Sequence, residues 1–441
     1  MIMDLTRRQS LQLMTVLSAL ATAPGLAACG REPGGRAPGA KDVELAGSEI
    51  ARSPGSGDAI PDAIASVSAL AAGLYGALAV TPGNLAFSPY SVAVALGMTL
   101  NGARGRTAAE MRDVLRAPEL GRFNGGLAAL SLHLEGLAGP IQLADGREKE
   151  IVLDTANALF GQRGTTWQRP FLDDLARYYG AGMRLVDYVS ATETARTLIN
   201  SWTARQTHDK IPVIVPPGEL DLLTRLVLVN AVYFKAPWQS PFDPRSTRRM
   251  PFATDTGRTV DAPTMTEGLE EARWGAGDGW EAVRLEYAGG TLAMTIVLPE
   301  RGSFDRVSAA VADGGLVRML AAPRPGGVML SLPRWTFRTQ VSLRETLATL
   351  GMRTAFDPQA ADFSGMTREE QLFVSSVLHE AFVVVDEEGT EAAAATSVEM
   401  GTTSAPMLEH EVVVDRPFFF VIHDVEHLTP LFVGRVTDPT A

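Results

Sequence analysis

The chain has one cysteine and four lysines in 441 residues, and no lysine or arginine between Asp386 and Asp415. A single thiol excludes an internal disulfide framework. None of Lys41, Lys149, Lys210 and Lys235 lies three residues after a serine or closes a phosphate-binding Gly-Lys-Ser/Thr loop. Neither a Gly-x-Ser-x-Gly elbow nor a His-Glu-x-x-His helix occurs. A basic excess is missing too: the net charge is −12, which argues against nucleic acid as a partner because a phosphate-tracking surface needs the opposite sign. What remains is a chain 46% apolar and 20% charged, able to build a large core and too apolar for a disordered or collagen-like protein.

The lone thiol is Cys29. Before it come Arg7 and Arg8, an apolar stretch from Leu11 to Leu26 softened by Thr15, Ser18, Thr22, Pro24 and Gly25, and the small residues Ala27 and Ala28. That order reads as a signal peptide over residues 1–28, too short in its apolar run to span a bilayer. Leu26-Ala27-Ala28-Cys29-Gly30 resembles a bacterial lipobox, which implies diacylglycerol on Cys29 and an exported chain anchored in a membrane facing the periplasm or exterior. Thr6-Arg7-Arg8 resembles a twin-arginine signal, with Ser10 where Phe is usual. Loss of Asp4, Arg7 and Arg8 takes the mature charge to −12 − 1 = −13. Residues 29–57, rich in Gly, Pro, Ala and Ser without apolar period, read as a flexible tether, and 58–441 as one continuous domain.

Apolar residues recur at helical spacing over 63–78, 91–100, 107–115, 125–137, 171–179 and 192–207. Runs rich in β-branched and aromatic residues at 226–234, 280–287, 291–298, 327–332, 381–385, 412–415 and 418–422 read as strands. Helices first and strands after predict an α+β class with large sheets rather than a doubly wound parallel design. Of the six histidines (His133, His208, His379, His410, His423 and His427), none stands beside a nucleophile in sequence. His423-Asp424-Val425-Glu426-His427 has a ligand-like spacing but precedes Leu428-Thr429-Pro430 and reads as a solvated turn. Gly275-Ala276-Gly277-Asp278-Gly279 reads as a loop. No enzyme activity, metal or cofactor is expected.

The informative stretch runs from Asp386 to Pro406, inside a gap of about 25 residues between two clear strands; a loop that long in a compact domain is usually functional. At every second position Thr390, Ala392, Ala394, Thr396, Val398 and Met400 are uncharged and mostly small, while Glu391 and Glu399 lie on the opposite parity. Extended, the segment is a half-buried strand with no proline before Pro406, so each amide could join a central ladder. Four consecutive alanines equally suit a short exposed helix. Both readings stand, for different moments in the life of the loop.

The segment Glu387-Glu388-Gly389-Thr390-Glu391-Ala392-Ala393-Ala394-Ala395-Thr396 resembles the hinge of inhibitory serpins. Further matches are spread over residues 60–441. Asn84 to Ser91 is similar to the start of the family's second helix; Asn200-Ser201-Trp202 with Thr207 to Ile211 resembles the helix that crosses the main sheet. Val229 to Trp238 resembles that sheet's central strand, and Asp415-Arg416-Pro417-Phe418 with Pro430 to Val436 the closing strands. The resemblance implies helices packed on three sheets, with an exposed reactive-centre loop. It puts Ser88, Ser91, Asn230 and His379 in the shutter beneath the main sheet and Trp238 in the breach at its top. It implies a monomeric suicide inhibitor: a protease acylates itself on the loop, and the cut hinge slides into the main sheet as a new strand, leaving a covalent complex. Counting from Gly389 puts the cut bond between Thr403 and Ser404, within the range Thr402 to Ala405. A Thr at the cut and the lack of a basic residue suit elastase-like or subtilisin-like enzymes rather than trypsin-like ones. A non-inhibitory serpin acting as carrier or chaperone is the alternative.

Overall fold

The computed structural model of the protein describes residues 43–143, 146–390 and 408–441. In chain order they form β1 (Glu44–Ala46), α1 (Ile60–Leu78), β2 (Leu85–Phe87), α2 (Pro89–Leu100), α3 (Gly105–Leu115), α4 (Leu120–Glu135), β3 (Gly139–Gln142), β4 (Glu148–Gln162), α5 (Arg169–Tyr179), β5 (Met183–Val186) and α6 (Thr192–Gln206). There follow β6 (Leu226–Pro237), β7 (Arg248–Ala253), β8 (Thr259–Leu269), β9 (Arg273–Gly277), β10 (Trp280–Glu286), β11 (Leu292–Pro299), α7 (Phe304–Ala312), α8 (Leu316–Ala321), β12 (Arg324–Pro325), β13 (Val328–Pro333) and β14 (Trp335–Ser342). The chain closes with α9 (Arg344–Leu350), β15 (Ser376–Val385), β16 (Gly389–Thr390), β17 (His410–Val413), β18 (Phe418–Asp424) and β19 (Pro430–Val436).

The strands make three sheets: a large one in the order β1-β5-β4-β6-β16-β15-β14 with β3 on β4, a second in the order β12-β9-β10-β11-β18-β19-β2, and a third in the order β17-β13-β8-β7. The first two pack on each other through a core that includes Phe234, Tyr287, Phe420 and Phe432, and α2 fills the space beneath the large sheet. Every residue of α2 is buried, which is why its sequence is apolar all round; Ser88 caps it, accepting from the Ser91 amide, and Pro89 starts it. On the outer face of the large sheet α6 lays Ala195, Ile199 and Trp202 over Ala156, Phe160, Val229 and Ala231. The middle strands are thus covered on both sides.

Three expectations from sequence are corrected. Residues 43–57, taken as part of a tether, are built into the body: β1 pairs with β5, Ser53 N donates to Arg177 O at 2.7 Å, and Ser56 N donates to Gly125 O at 2.9 Å. A Cβ on Gly55 would meet Ala129 N and Gly125 O at 2.4 Å, so that glycine serves close approach and not flexibility. Gly275–Gly279 is not an open loop, since Gly275 to Gly277 belong to β9, which forms a hairpin with β10. His423 and Asp424, placed in a solvated turn, are fully buried at the end of β18. His423 Nε2 lies 2.9 Å from Thr295 Oγ1 and Nδ1 2.9 Å from Asp424 O. Only Val425 to Leu428 form the turn.

Candidate functional site

The site lies along the seam between β6 and β15. These strands run parallel and pair directly from Val227 with Ser376 to Val232 with Ala381. Above that ladder β16 sits between them, antiparallel to both, with Gly389 opposite Pro237 and Thr390 opposite Ala236 on one side and Val385 on the other. Gly389 and Thr390 of the hinge are therefore already part of the sheet. A Cβ on Gly389 would meet Ala236 O at 2.1 Å, so only glycine lets the chain turn in at this point. Thr390 is 1% exposed and points inward, its Oγ1 2.6 Å from Tyr287 Oη.

Just before the wedge, Glu387 and Glu388 are fastened by their backbones and their charges. Trp238 N donates to Glu388 O and Phe242 N to Glu387 O, both at 2.9 Å. The Glu387 carboxylate accepts from Thr247 Oγ1 at 2.6 Å and faces Arg334 at 3.4 Å; that of Glu388 lies 3.7 Å from Lys149. Trp238 stacks flat on Tyr287, ring centres 4.6 Å apart, and its Nε1 donates to Asp386 O at 3.0 Å. Burial holds the Tyr287 phenol well above its usual range, so it bonds Thr390 as a neutral hydroxyl.

Lower in the seam, Ser88, Ser91, Asn230 and His379 come together with no exposure to solvent. Ser88 N donates to His379 Nε2 at 3.1 Å, His379 Nδ1 meets Asn230 Oδ1, and Asn230 Nδ2 donates to Ser91 Oγ and to Asn157 Oδ1. Ser91 Oγ in turn donates to Asn157 Oδ1 at 2.7 Å. An imidazole that accepts an amide proton at Nε2 and faces a carbonyl oxygen at Nδ1 must carry its hydrogen on Nδ1 and be neutral. Burial agrees, pushing the His379 pKa down to about 3. Next along β15, Glu380 is buried under the side chain of Arg338, 2.8 Å away; burial outweighs that neighbour and lifts its pKa to about 7.

Of the residues singled out from sequence, Ser88, Ser91, Asn230, His379, Trp238 and Glu387 to Thr390 thus line one seam. Glu391, Ala392, Ala393, Ala394, Ala395, Thr396 and the segment Thr402 to Ala405 with the Thr403–Ser404 bond lie outside the described residues, as does Cys29. Sequence reading missed Asn157 and Tyr287. Asn157 sits on β4, which was not recognised as a strand. Tyr287 was placed on a strand, but its role depends on a partner far away in the chain.

A large mixed sheet whose two middle strands are parted at the top by a short third strand, over a buried Ser–Asn–His cluster, defines the site. Residues 65–439 match the family model Serpin (serine protease inhibitor), and the protein is a member of the serpin family. It is 38% identical over 371 residues to an uncharacterized serpin-like protein of Thermococcus kodakarensis, covering 83% of each chain. With the leukocyte elastase inhibitor of Bos taurus it shares 34% identity over 365 residues, 81% of this chain and 93% of the relative. Among solved structures, the thermophilic serpin tengpin in the native state matches with a TM-score of 0.76 at 25% identity, covering 90% of this chain and 97% of that one. Thyroxine-binding globulin in complex with thyroxine matches at 0.73 and 29% identity, over 85% and 99%.

Proposed function

We propose that this serpin is a suicide inhibitor of endopeptidases with small or shallow specificity pockets, elastase-like or subtilisin-like. The reading is carried by β16, which already occupies the slot between β6 and β15 and sets a register. Continued downward from Gly389 opposite Pro237, that register brings Glu391 opposite Lys235, Ala392 opposite Phe234, Ala394 opposite Val232, Thr396 opposite Asn230 and Met400 opposite Leu226, the first residue of β6. Thr390 points inward, so once inserted Ala392, Ala394, Thr396 and Val398 would point inward as well. Ala393 and Ala395 would then turn to the other face, where Ala231 is packed among residues of α6. Four consecutive alanines suit a stretch that must pass between two covered faces. Glu391, at the outer end, would meet the ammonium of Lys235.

Insertion of residues 391–400 exchanges the six-pair ladder between β6 and β15 for two ladders flanking the new strand. The net gain is about a dozen hydrogen bonds at roughly 0.5 to 1.5 kcal/mol each, on the order of 10 kcal/mol in all. The uncut form is then metastable and held by a kinetic barrier. Carriage of the acylated protease across the molecule would distort its catalytic groups by more than the sub-ångström tolerance of the chemistry, stalling deacylation. The name of the bovine relative, leukocyte elastase inhibitor, supports the choice of target class, and residues 386–415 offer no basic side chain to a trypsin-like pocket.

We also propose that the mature chain begins at Cys29 as a lipoprotein. Incorporation of labelled palmitate in a bacterial host, lost in Cys29→Ser, is the expected result; equal labelling of the variant would refute it. Incubation of the protein with pancreatic elastase and with subtilisin should give an SDS-resistant band and release a carboxy-terminal fragment beginning at or near Ser404. Cleavage without such a band at every ratio would favour a carrier of the thyroxine-binding globulin kind.

A further inference from the structure

Two of the six histidines meet away from the seam. His133 stands in the last turn of α4 and His427 in the turn between β18 and β19; their rings are 4.8 Å apart, tilted by 57°. Glu426 joins them, its Oε1 3.8 Å from His427 Nε2. One donor atom from each of His133, Glu426 and His427 lies within 4.8 Å of the other two. His133 Nε2 is shielded from water yet makes no hydrogen bond; Asp424 Oδ2, at 3.7 Å, is too distant. A shielded ring nitrogen left without a partner is the exception in folded proteins and calls for something to fill the place.

The surroundings favour a cation. The end of α4 presents the negative pole of the helix. Asp424 lies beneath the group, fully buried, with its oxygens held by the amides of His427 at 2.7 Å and Thr429 at 2.8 Å. Those two bonds fix the turn that carries Glu426 and His427. The Glu426 side chain is 70% exposed and His427 25%, so both can rotate inward while His133 stays in place.

We propose that His133, Glu426 and His427 form a zinc site, with solvent as fourth ligand and the buried Asp424 carboxylate holding the turn that carries Glu426 and His427. Two imidazoles, a carboxylate and an open position are a set that zinc takes at about 2.0 to 2.2 Å per bond, which puts ligand atoms roughly 3.4 Å apart. Closing from 4.8 Å to that spacing needs side-chain rotation only. The set offers too few oxygens for calcium or magnesium. Bound metal would clasp α4 to the second sheet. Because α4 leads directly into β3 and β4, it would also tie that sheet to the one that opens.

Titration of the full-length protein with Co2+, read by the visible ligand-field absorption of a tetrahedral site, tests this. One equivalent should bind, be displaced by Zn2+, and be lost in His133→Ala and in His427→Ala. Glu426→Gln, at an exposed side chain that the fold does not need, should weaken binding tenfold or more. Zn2+ should raise the melting temperature of the parent and not of the histidine variants. Failure to bind Co2+ at tens of micromolar, unchanged binding in the histidine variants, or a thiolate-to-cobalt charge-transfer band assigning the metal to Cys29 would each overturn the proposal.

Discussion

Ala394→Arg strikes the proposed insertion step at an enclosed point. In the inserted form proposed above, continuing the register of β16, residue 394 would fall opposite Val232, itself 1% exposed, and would face the inner core shared with Phe234. An arginine entering there must shed its water, and the effective penalty for one unpaired buried ion is several kcal/mol. Each 1.36 kcal/mol added to a barrier slows a step tenfold, so a penalty of about 4 kcal/mol retards insertion roughly a thousandfold. Deacylation then wins, and the loop is cleaved as an ordinary substrate. The measurement is the stoichiometry of inhibition with subtilisin or elastase, read alongside the ratio of SDS-resistant complex to cleaved chain. The parent should approach one inhibitor per protease; Ala394→Arg should show cleavage with no complex. Glu391→Gln, which alters only the outer face beside Lys235, should inhibit like the parent. If Ala394→Arg traps protease at the parent's stoichiometry, the hinge does not enter the sheet in this register and the mechanism falls with it.

Loop cleavage at Thr403–Ser404 should raise the midpoint of thermal unfolding by roughly 10 °C, since on the order of 10 kcal/mol is released on insertion; superimposable melting curves before and after cleavage would refute this. Thr390→Arg acts earlier than sequence alone suggests, because Thr390 is already buried between Ala236 and Val385: the variant should expel β16 in the uncut protein, visible as altered fluorescence of Trp238, as well as abolish inhibition. The imidazoles of His379 and His423, with pKa values held by burial near 3 and 4, stay neutral in the folded chain while the unfolded chain binds protons on both below about pH 6.5. Stability from these two groups therefore falls as pH drops through 6.5, by about 1.4 kcal/mol per unit for each ring. Glu380 acts oppositely: its pKa near 7 keeps a proton on the folded form that the unfolded form releases above about 4.5, so its contribution falls as pH rises between those values. Between pH 5 and 6.5 the net slope should be about one proton in the parent and about two in Glu380→Gln, measured by denaturant titration across pH; identical slopes would contradict the assignment.

The six helices of the first half were legible because each is amphipathic or wholly apolar at a steady 3.6-residue period. β4 was not, although it is a central strand of 15 residues. Its inner face takes Ile151, Leu153 and Asn157 and its outer face Ala156, Ala158 and Phe160, so two buried faces erase the alternation that marks a strand with one wet side. Asn157 was hidden for the same reason. Residues 43–57 deceived by composition: glycine and serine suggest slack chain, whereas here they permit close packing against α4 and bonds to α5. The hinge was readable in parity but not in depth; that Thr390 already sits inside follows from its distance to Tyr287, which sequence does not encode locally. The meeting of His133 with His427 required the tertiary fold.

The large sheet has two rims that must not recruit stray chains. At one rim the three residues of β1 cover β5. At the other, β14 turns Arg338 and Gln340 outward to bond the main chain at Lys210, Val213 and Ile214. Both flanks are closed by short, polar or irregular pieces of the protein's own chain, which blunts edge-to-edge aggregation. Deleting residues 43–46 would leave the inhibitory slot untouched while opening a lateral surface, so self-association of such a truncated protein would proceed sideways, without consuming the loop.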